Sequence, residues 1–308
     1  LAILFFTLSC KTHPSSDRHY TDGDESKVYR LRLSPVPATR YHFDITNSSE
    51  VKIKVGEKQL DNLSRSTIGA VYKMDRDSAG HLLFSITYDK VHLLLKKDGT
   101  ETEMDAANAA ESYDPVEKML GALQSARIEA VISPNGDVLS VTGYKELTDK
   151  MMVSFNYADE ATRRTARSRL EQMVGDGIVK KNMDQLFKIF PDSAVHIGDR
   201  WKLSSQRKDE VNLHIKNTFQ LKDIDDGVAL ITSEGEITSD SAVTQLSGYA
   251  VNASLKGLQK GEYEMQTATG MLVSANITAN VEGTMQVMGR DIPVTIGMTV
   301  KMSGRPLK

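Results

Sequence analysis

Tyr41-His42-Phe43-Asp44-Ile45-Thr46-Asn47-Ser48-Ser49-Glu50-Val51-Lys52-Ile53-Lys54-Val55 sets apolar against polar residues with a period of two. Successive side chains of a strand point to opposite faces. Tyr41, Phe43 and Ile45 therefore share one face, as do Val51, Ile53 and Val55, with lysines between them. Upstream, Tyr29, Leu31 and Leu33 alternate in the same way. Downstream, β signals run through Ile68 to Met74, turn at Ser78-Ala79-Gly80 and return through Leu82, Phe84, Ile86 and Tyr88. Val91 to Leu95 with the Asp98-Gly99 turn predicts another hairpin.

Helix signals begin at Asp114, a capping residue followed by Pro115 at the first helical position and Glu117 three residues on. Met119, Leu120 and Leu123 supply the apolar stripe. Ile128 to Ile132, Pro134-Asn135-Gly136-Asp137 and Val138 to Val141 predict a short hairpin. Helices are expected over 146–152, 160–174 and 180–190. In the last of these, Met183, Leu186, Phe187 and Phe190 share a face and Pro191 closes it. Strands return after Trp201, the only tryptophan, which is expected to anchor the core of the second half. They run over 211–221, 228–237, 246–255, 271–288 and 292–302, with turns at Asp225-Asp226-Gly227 and Gly289-Arg290-Asp291. Two hairpins, one turning at Gly80 and one at Gly227, share a pattern that hints at duplication.

The expected fold is α+β: long antiparallel strands in one or two curved sheets, with a few central helices packed against the inner face. The chain divides into a leader (1–10), a polar tether (11–27), a β-rich half with the central helices (28–190) and a C-terminal antiparallel half (191–308). The two halves can also form one continuous domain.

Charged residues make up 26% of the 308 positions, with a net charge of −3. Nothing in that balance suggests the clustered basic face that nucleic acid requires. After the leader no stretch approaches the roughly 18 apolar residues of a spanning helix. The opening Leu1-Ala2-Ile3-Leu4-Phe5-Phe6-Thr7-Leu8-Ser9-Cys10 is an apolar run ending on a small residue and the only cysteine. A polar tract follows at once. That order is the pattern of a lipoprotein signal segment, with Cys10 as the acylated residue. The alternative makes Leu1 to Leu8 a buried strand and Cys10 a small core residue.

Motif searches give no chemistry. No His-x-x-x-His pair joins the seven histidines, and Cys10 is the only thiol, so no metal site is expected. His42, His92 and His214 lie in strand patterns and read as solvent-facing or satisfied residues. Asp75-Arg76-Asp77-Ser78-Ala79-Gly80 begins like a calcium loop, but Ile86 fills the closing acidic position. Gly-x-Ser-x-Gly is absent, and glycines 69, 80, 99 and 121 stand alone rather than in a phosphate-binding loop. No catalytic residue and no cofactor are expected. Arg163, Arg164 and Arg167 border the stripe of Ala166, Leu170, Met173 and Val174. They read as a solvated helix face, with anionic lipid headgroups as the alternative partner. Six of the 13 methionines fall in the last strands: Met265, Met271, Met285, Met288, Met298 and Met302. They are expected to fill core.

The leader with Cys10, the Asp114-Pro115 helix start and the Pro134-Asn135-Gly136 hairpin together resemble an uncharacterised lipoprotein family of Gram-negative bacteria. The passage from Phe190-Pro191 to Gly198-Asp199-Arg200-Trp201 and the methionine-rich C-terminal hairpins share in that resemblance. The family brings no catalytic residues. In general plan the chain is similar to the LolA-like lipid carriers. The resulting expectation is a non-enzymatic protein of the cell envelope, anchored through Cys10 to a membrane (the outer membrane, on its periplasmic side). It would bind an apolar small molecule or an envelope protein. The alternatives are a structural lipoprotein without a ligand, or an envelope hydrolase with dispersed acidic residues.

Overall fold

The alternating run becomes β1 (Arg40–Val55), and its two-residue turn at Gly56 and Glu57 leads straight into β2 (Lys58–Arg76). The computed structural model describes residues 26–97, 99–155, 157–174, 180, 183, 189–208, 211–240, 243–246 and 249–307. The N-terminal side continues with β3 (Leu82–Lys97), β4 (Thr100–Asp105), β5 (Arg127–Ile132) and β6 (Val138–Thr142). Beyond the helices come β7 (Arg200–Lys208), β8 (Asn212–Asp225), β9 (Val228–Ser239) and β10 (Val243–Leu246). The chain ends with β11 (Tyr249–Gln266), β12 (Leu272–Val287) and β13 (Arg290–Leu307). Helices α1 (Pro115–Gln124), α2 (Tyr144–Val153) and α3 (Glu160–Val174) lie between β4 and β7.

All of the described strands join one antiparallel sheet in the order β6-β5-β3-β2-β1-β13-β12-β11-β9-β8-β7, with β4 on β3 and β10 on β11. The first and last strands pair in the middle of the sheet. The hydrogen-bonded ladder therefore passes without a break from residues before 190 to residues after it.

This corrects the expected α+β class. With 61% of the described residues in strands and 14% helical, the protein is mostly β, and its described helices are short accessories to one sheet. Two local features hid the strand lengths. The turn at Gly56, where φ is +62°, starts β2 ten residues before its strongest apolar stretch. Asp89 is a bulge that joins two expected strands into β3. Before it Phe84, Ile86 and Tyr88 face inward; after it Val91, Leu93 and Leu95 do, because the register slips by one residue opposite Gly69 and Ala70. The expected strand at Tyr29–Leu33 is instead an extended strap with one isolated bridge, Tyr29 to Val195.

Several local readings hold. Asp114 Oδ1 accepts hydrogen bonds from the Val116 and Glu117 amides at the start of α1, and the second and third helices match 146–152 and 160–174 closely. The hairpin at Asp226-Gly227 holds both residues at positive φ, as does Met288-Gly289, one residue earlier than expected. The helix expected over 180–190 lies mostly outside the described residues, and Phe190 there is buried but not helical. Trp201 serves more than its own half. It stacks on Phe219 at 5.7 Å and donates from Nε1 to the Ile189 carbonyl at 3.0 Å.

The main apolar cluster sits at the end of the sheet where β1 begins. It gathers Phe43, Tyr72, Phe84 and Ile128 from one wing, Phe219, Leu221, Ile231 and Met265 from the other, and Leu120 and Leu147 from α1 and α2. The strap crosses this end. Tyr29 exchanges backbone hydrogen bonds with Val195 on the approach to β7, and the Leu33 amide donates to Pro134 in the β5–β6 turn. Four residues span at most roughly 15 Å, so the two wings of the sheet come close together here. The sheet is rolled, with a concave and a convex face.

Candidate binding surface

Cross-strand register assigns each strand residue to a face, and the faces differ in charge. On β1 the concave positions are Tyr41, Phe43, Ile45, Asn47, Ser49, Val51, Ile53 and Val55. Concave positions are also uncharged from residue 60 to 74 on β2, 82 to 95 on β3, 213 to 221 on β8 and 229 to 239 on β9. The same holds from 251 to 265 on β11, 275 to 287 on β12 and 292 to 304 on β13. The charges of these stretches are convex. Lys216 lies opposite Glu236, and Lys260 Nζ stands 3.9 Å from Glu234 Oε1.

Within the concave face the apolar surface is interrupted. A second cluster of Ile215, Ile237, Ala253, Leu255, Ala279 and Val281 occupies the far part of the β8–β12 wing, separate from the main core. Where the clusters meet, the register lines up two rows, which share Ala279 with the second cluster and Phe219 with the first. One runs Ser64, Ser49, Met298, Ala279, Gln259, Gly235, Asn217; the next runs Ser66, Asn47, Val300, Ile277, Gly261, Ser233, Phe219. This belt is neutral but rich in amides and hydroxyls. Asn47 Nδ2 donates to Ser66 Oγ at 3.3 Å, and Gln259 Nε2 donates to Asn217 Oδ1 at 3.4 Å. Asn47, Ser66, Asn217 and Gln259 are half-buried, while Ser49, Ser64 and Ser233 are buried.

Glycine shapes the belt where it is most crowded. A Cβ on Gly261 would stand 2.7 Å from both the Ser233 and the Tyr263 hydroxyl oxygens, and one on Gly235 would strike the Asn217 carboxamide. Burial raises the Tyr263 phenol above its ordinary value, partly offset by the Ser233 hydroxyl. Burial also pushes Tyr88 up to about 12 and Tyr72 higher still. All three phenols stay protonated, so the concave face remains uncharged through the physiological range.

The convex face holds most of the ionisable groups. His42 lies there, with Nε2 2.9 Å from Asp89 Oδ2 and Nδ1 3.4 Å from Asp44 Oδ2, and Arg305 Nη1 completes the row 2.9 Å from Asp44. The imidazole reaches Asp89 across β2 because Gly69 has no side chain there; a Cβ would collide with the carboxylate. His92 meets Glu103 and His214 meets Asp240. Among the described residues, no three His, Cys, Asp or Glu side chains converge to hold a metal ion. In the Asp75–Gly80 loop, Asp77 binds the amide and ring nitrogen of His81, which makes it a turn residue.

On α3, Arg163 pairs with Glu160 and Arg167 with Asp149 and Glu171, a locally neutralised face. Met265, Met271 and Met302 are core, Met285 and Met298 pack on the second cluster, and Met288 is exposed on a turn. Cys10, His13 and His19 lie outside the described residues. Sequence reading missed the belt because serine, asparagine and glycine scattered along seven strands carry no spacing signal. Only the register aligns them.

Fold and surface thus define a mostly-β protein with a rolled sheet and an uncharged concave face. Residues 79–272 match a family of unknown function, DUF6263, and the chain belongs to that family. No curated protein matches it. Among solved structures, OccK7 (OpdD) of Pseudomonas aeruginosa is 6% identical over 88% of this chain and 99% of its own, at a TM-score of 0.22. The translocator domain of autotransporter NalP from Neisseria meningitidis is 7% identical over 88% and 90%, at 0.20. The Pseudomonas aeruginosa MucA/MucB complex gives 9% over 86% and 94%, at 0.14. Scores this low carry no weight for fold or function. The surface chemistry also differs from that of a membrane barrel, whose exterior is an apolar band, since here the charges are on the convex side. No described helix is long and apolar enough to cross a membrane.

Proposed function

We propose that the protein binds an apolar ligand on the concave face of its sheet and performs no catalysis. The supporting observation is the segregation of charge: eight strands contribute uncharged concave positions, interrupted only by a neutral polar belt. An interior without ions is suited to a molecule whose own surface is mostly hydrocarbon. In this reading the protein is a lipoprotein of the cell envelope, acylated at Cys10 and held on the periplasmic side of the outer membrane. Its plan is that of the LolA-like carriers, and its ligand is a small apolar molecule rather than an envelope protein.

Two experiments test the two parts. Full-length protein isolated from envelopes should carry extractable lipid in near-stoichiometric amount, detected by mass spectrometry. Protein free of any apolar molecule under those conditions would defeat the ligand. Separately, Cys10→Ser should abolish metabolic labelling by fatty acid and release the body from membranes; labelling that persists would defeat the anchor.

A further inference from the structure

We propose that the concave site selects an uncharged lipid with ester carbonyls over an ionised one of the same chain length. This inference rests on the ligand-binding reading above. The near cluster is already filled by side chains of α1 and α2, and Ile237, Leu255 and Val281 of the second cluster are buried, so acyl chains would lie over the far rows on β1, β2 and β13. There Val51, Ile53, Leu60 and Ile296 are half-buried rather than sealed. Chains lying along those rows bring the polar end of the lipid to the belt.

The belt fits a neutral acceptor. Gln259 donates to Asn217 Oδ1, which leaves the two N–H donors of the Asn217 carboxamide for another partner. Asn47 likewise retains a second N–H after bonding Ser66. Donors of this kind match ester carbonyls, which accept and do not donate. An anionic headgroup at the belt would meet no cation, because the concave positions of the belt rows carry no basic residue, and it would lose hydration without a compensating charge. The near-end Tyr88 phenol, pushed up by burial to about 12, adds no charge.

The test uses the full chain and its single tryptophan, Trp201, which lies in the belt's second row, opposite Phe219, as reporter. Dioctanoylglycerol and dioctanoyl phosphatidic acid are titrated separately as monomers at one pH and salt concentration. The diacylglycerol should bind at least tenfold tighter. Asn47→Lys, which places a cation in the belt, should reverse that preference, with Gln259→Lys as an independent second carrier of charge. Equal or tighter binding of phosphatidic acid by the unaltered protein overturns the inference while leaving ligand binding intact. An unchanged preference in both lysine variants overturns it as well. If neither lipid binds, the ligand-binding reading itself fails, and the inference fails with it.

Discussion

The two faces of the same strands are made from one chain at one-residue offsets, yet they answer to different solvents. On β11 the concave residues Val251, Ala253 and Leu255 are buried, whereas Leu258 on the convex side is 65% exposed among Lys256, Lys260 and Glu262. A residue on the concave face contributes by removing apolar area from water, at about 25 cal/mol per Å². An exposed residue on the convex face contributes little beyond strand propensity. The contrast places most of the buried apolar area on one side of the sheet, the side on which the proposed ligand would bind.

The largest effects should come from disturbing the concave side. Phe84→Ala, in the main core at 2% exposure and edge-on to Tyr72 at 6.2 Å, should lower unfolding free energy by about 3–5 kcal/mol in urea titrations. Leu258→Ala on the convex face should change it by less than about 0.5 kcal/mol. Comparable losses would erase the distinction between faces.

Glycine substitutions sharpen the comparison at intermediate size. Gly270 holds φ at +68°, and a Cβ there would strike the Arg32 carbonyl of the strap. Gly80, at +87°, has nothing within 4 Å. Gly270→Ala should therefore cost about 3 kcal/mol, combining left-handed strain with backbone displacement. Gly80→Ala should cost only the strain, about 1 kcal/mol. Thermal unfolding of both variants separates the two contributions. Asp114→Ala, which removes the cap of α1, should cost about 1 kcal/mol.

The smallest effect is electrostatic. A side-chain hydrogen bond from His81 holds the Asp77 carboxyl below its usual range. A depressed carboxyl contributes stability above its unfolded pKa and loses it as pH falls through the folded value. The effect should appear only below about pH 4. It should be slight at this exposed site and absent in Asp77→Asn, as measured by thermal midpoints across that range.

Much of the sheet was legible because a period of two is written directly into β1. The cap at Asp114, the Asp226-Gly227 turn and the boundaries of α3 were equally local signals. What sequence reading could not supply was anything depending on partners. The bulge at Asp89 needs Gly69 opposite it, the pairing of β1 with β13 joins residues more than 200 positions apart, and the belt exists only once seven strands are in register. The class was misjudged for the same reason. Helices have compact signatures, whereas strands of 16 to 19 residues were cut short by turns and bulges read as ends.

The central claim is that the concave face carries the binding function, and one paired measurement tests it most directly. The full chain should enhance the fluorescence of N-phenylnaphthylamine, an uncharged apolar probe. Met298→Asp, on the concave side, should weaken that binding at least tenfold, while Leu258→Asp, on the convex side, should leave it unchanged. Absence of binding by the unaltered chain, or equal losses in the two variants, would contradict the account.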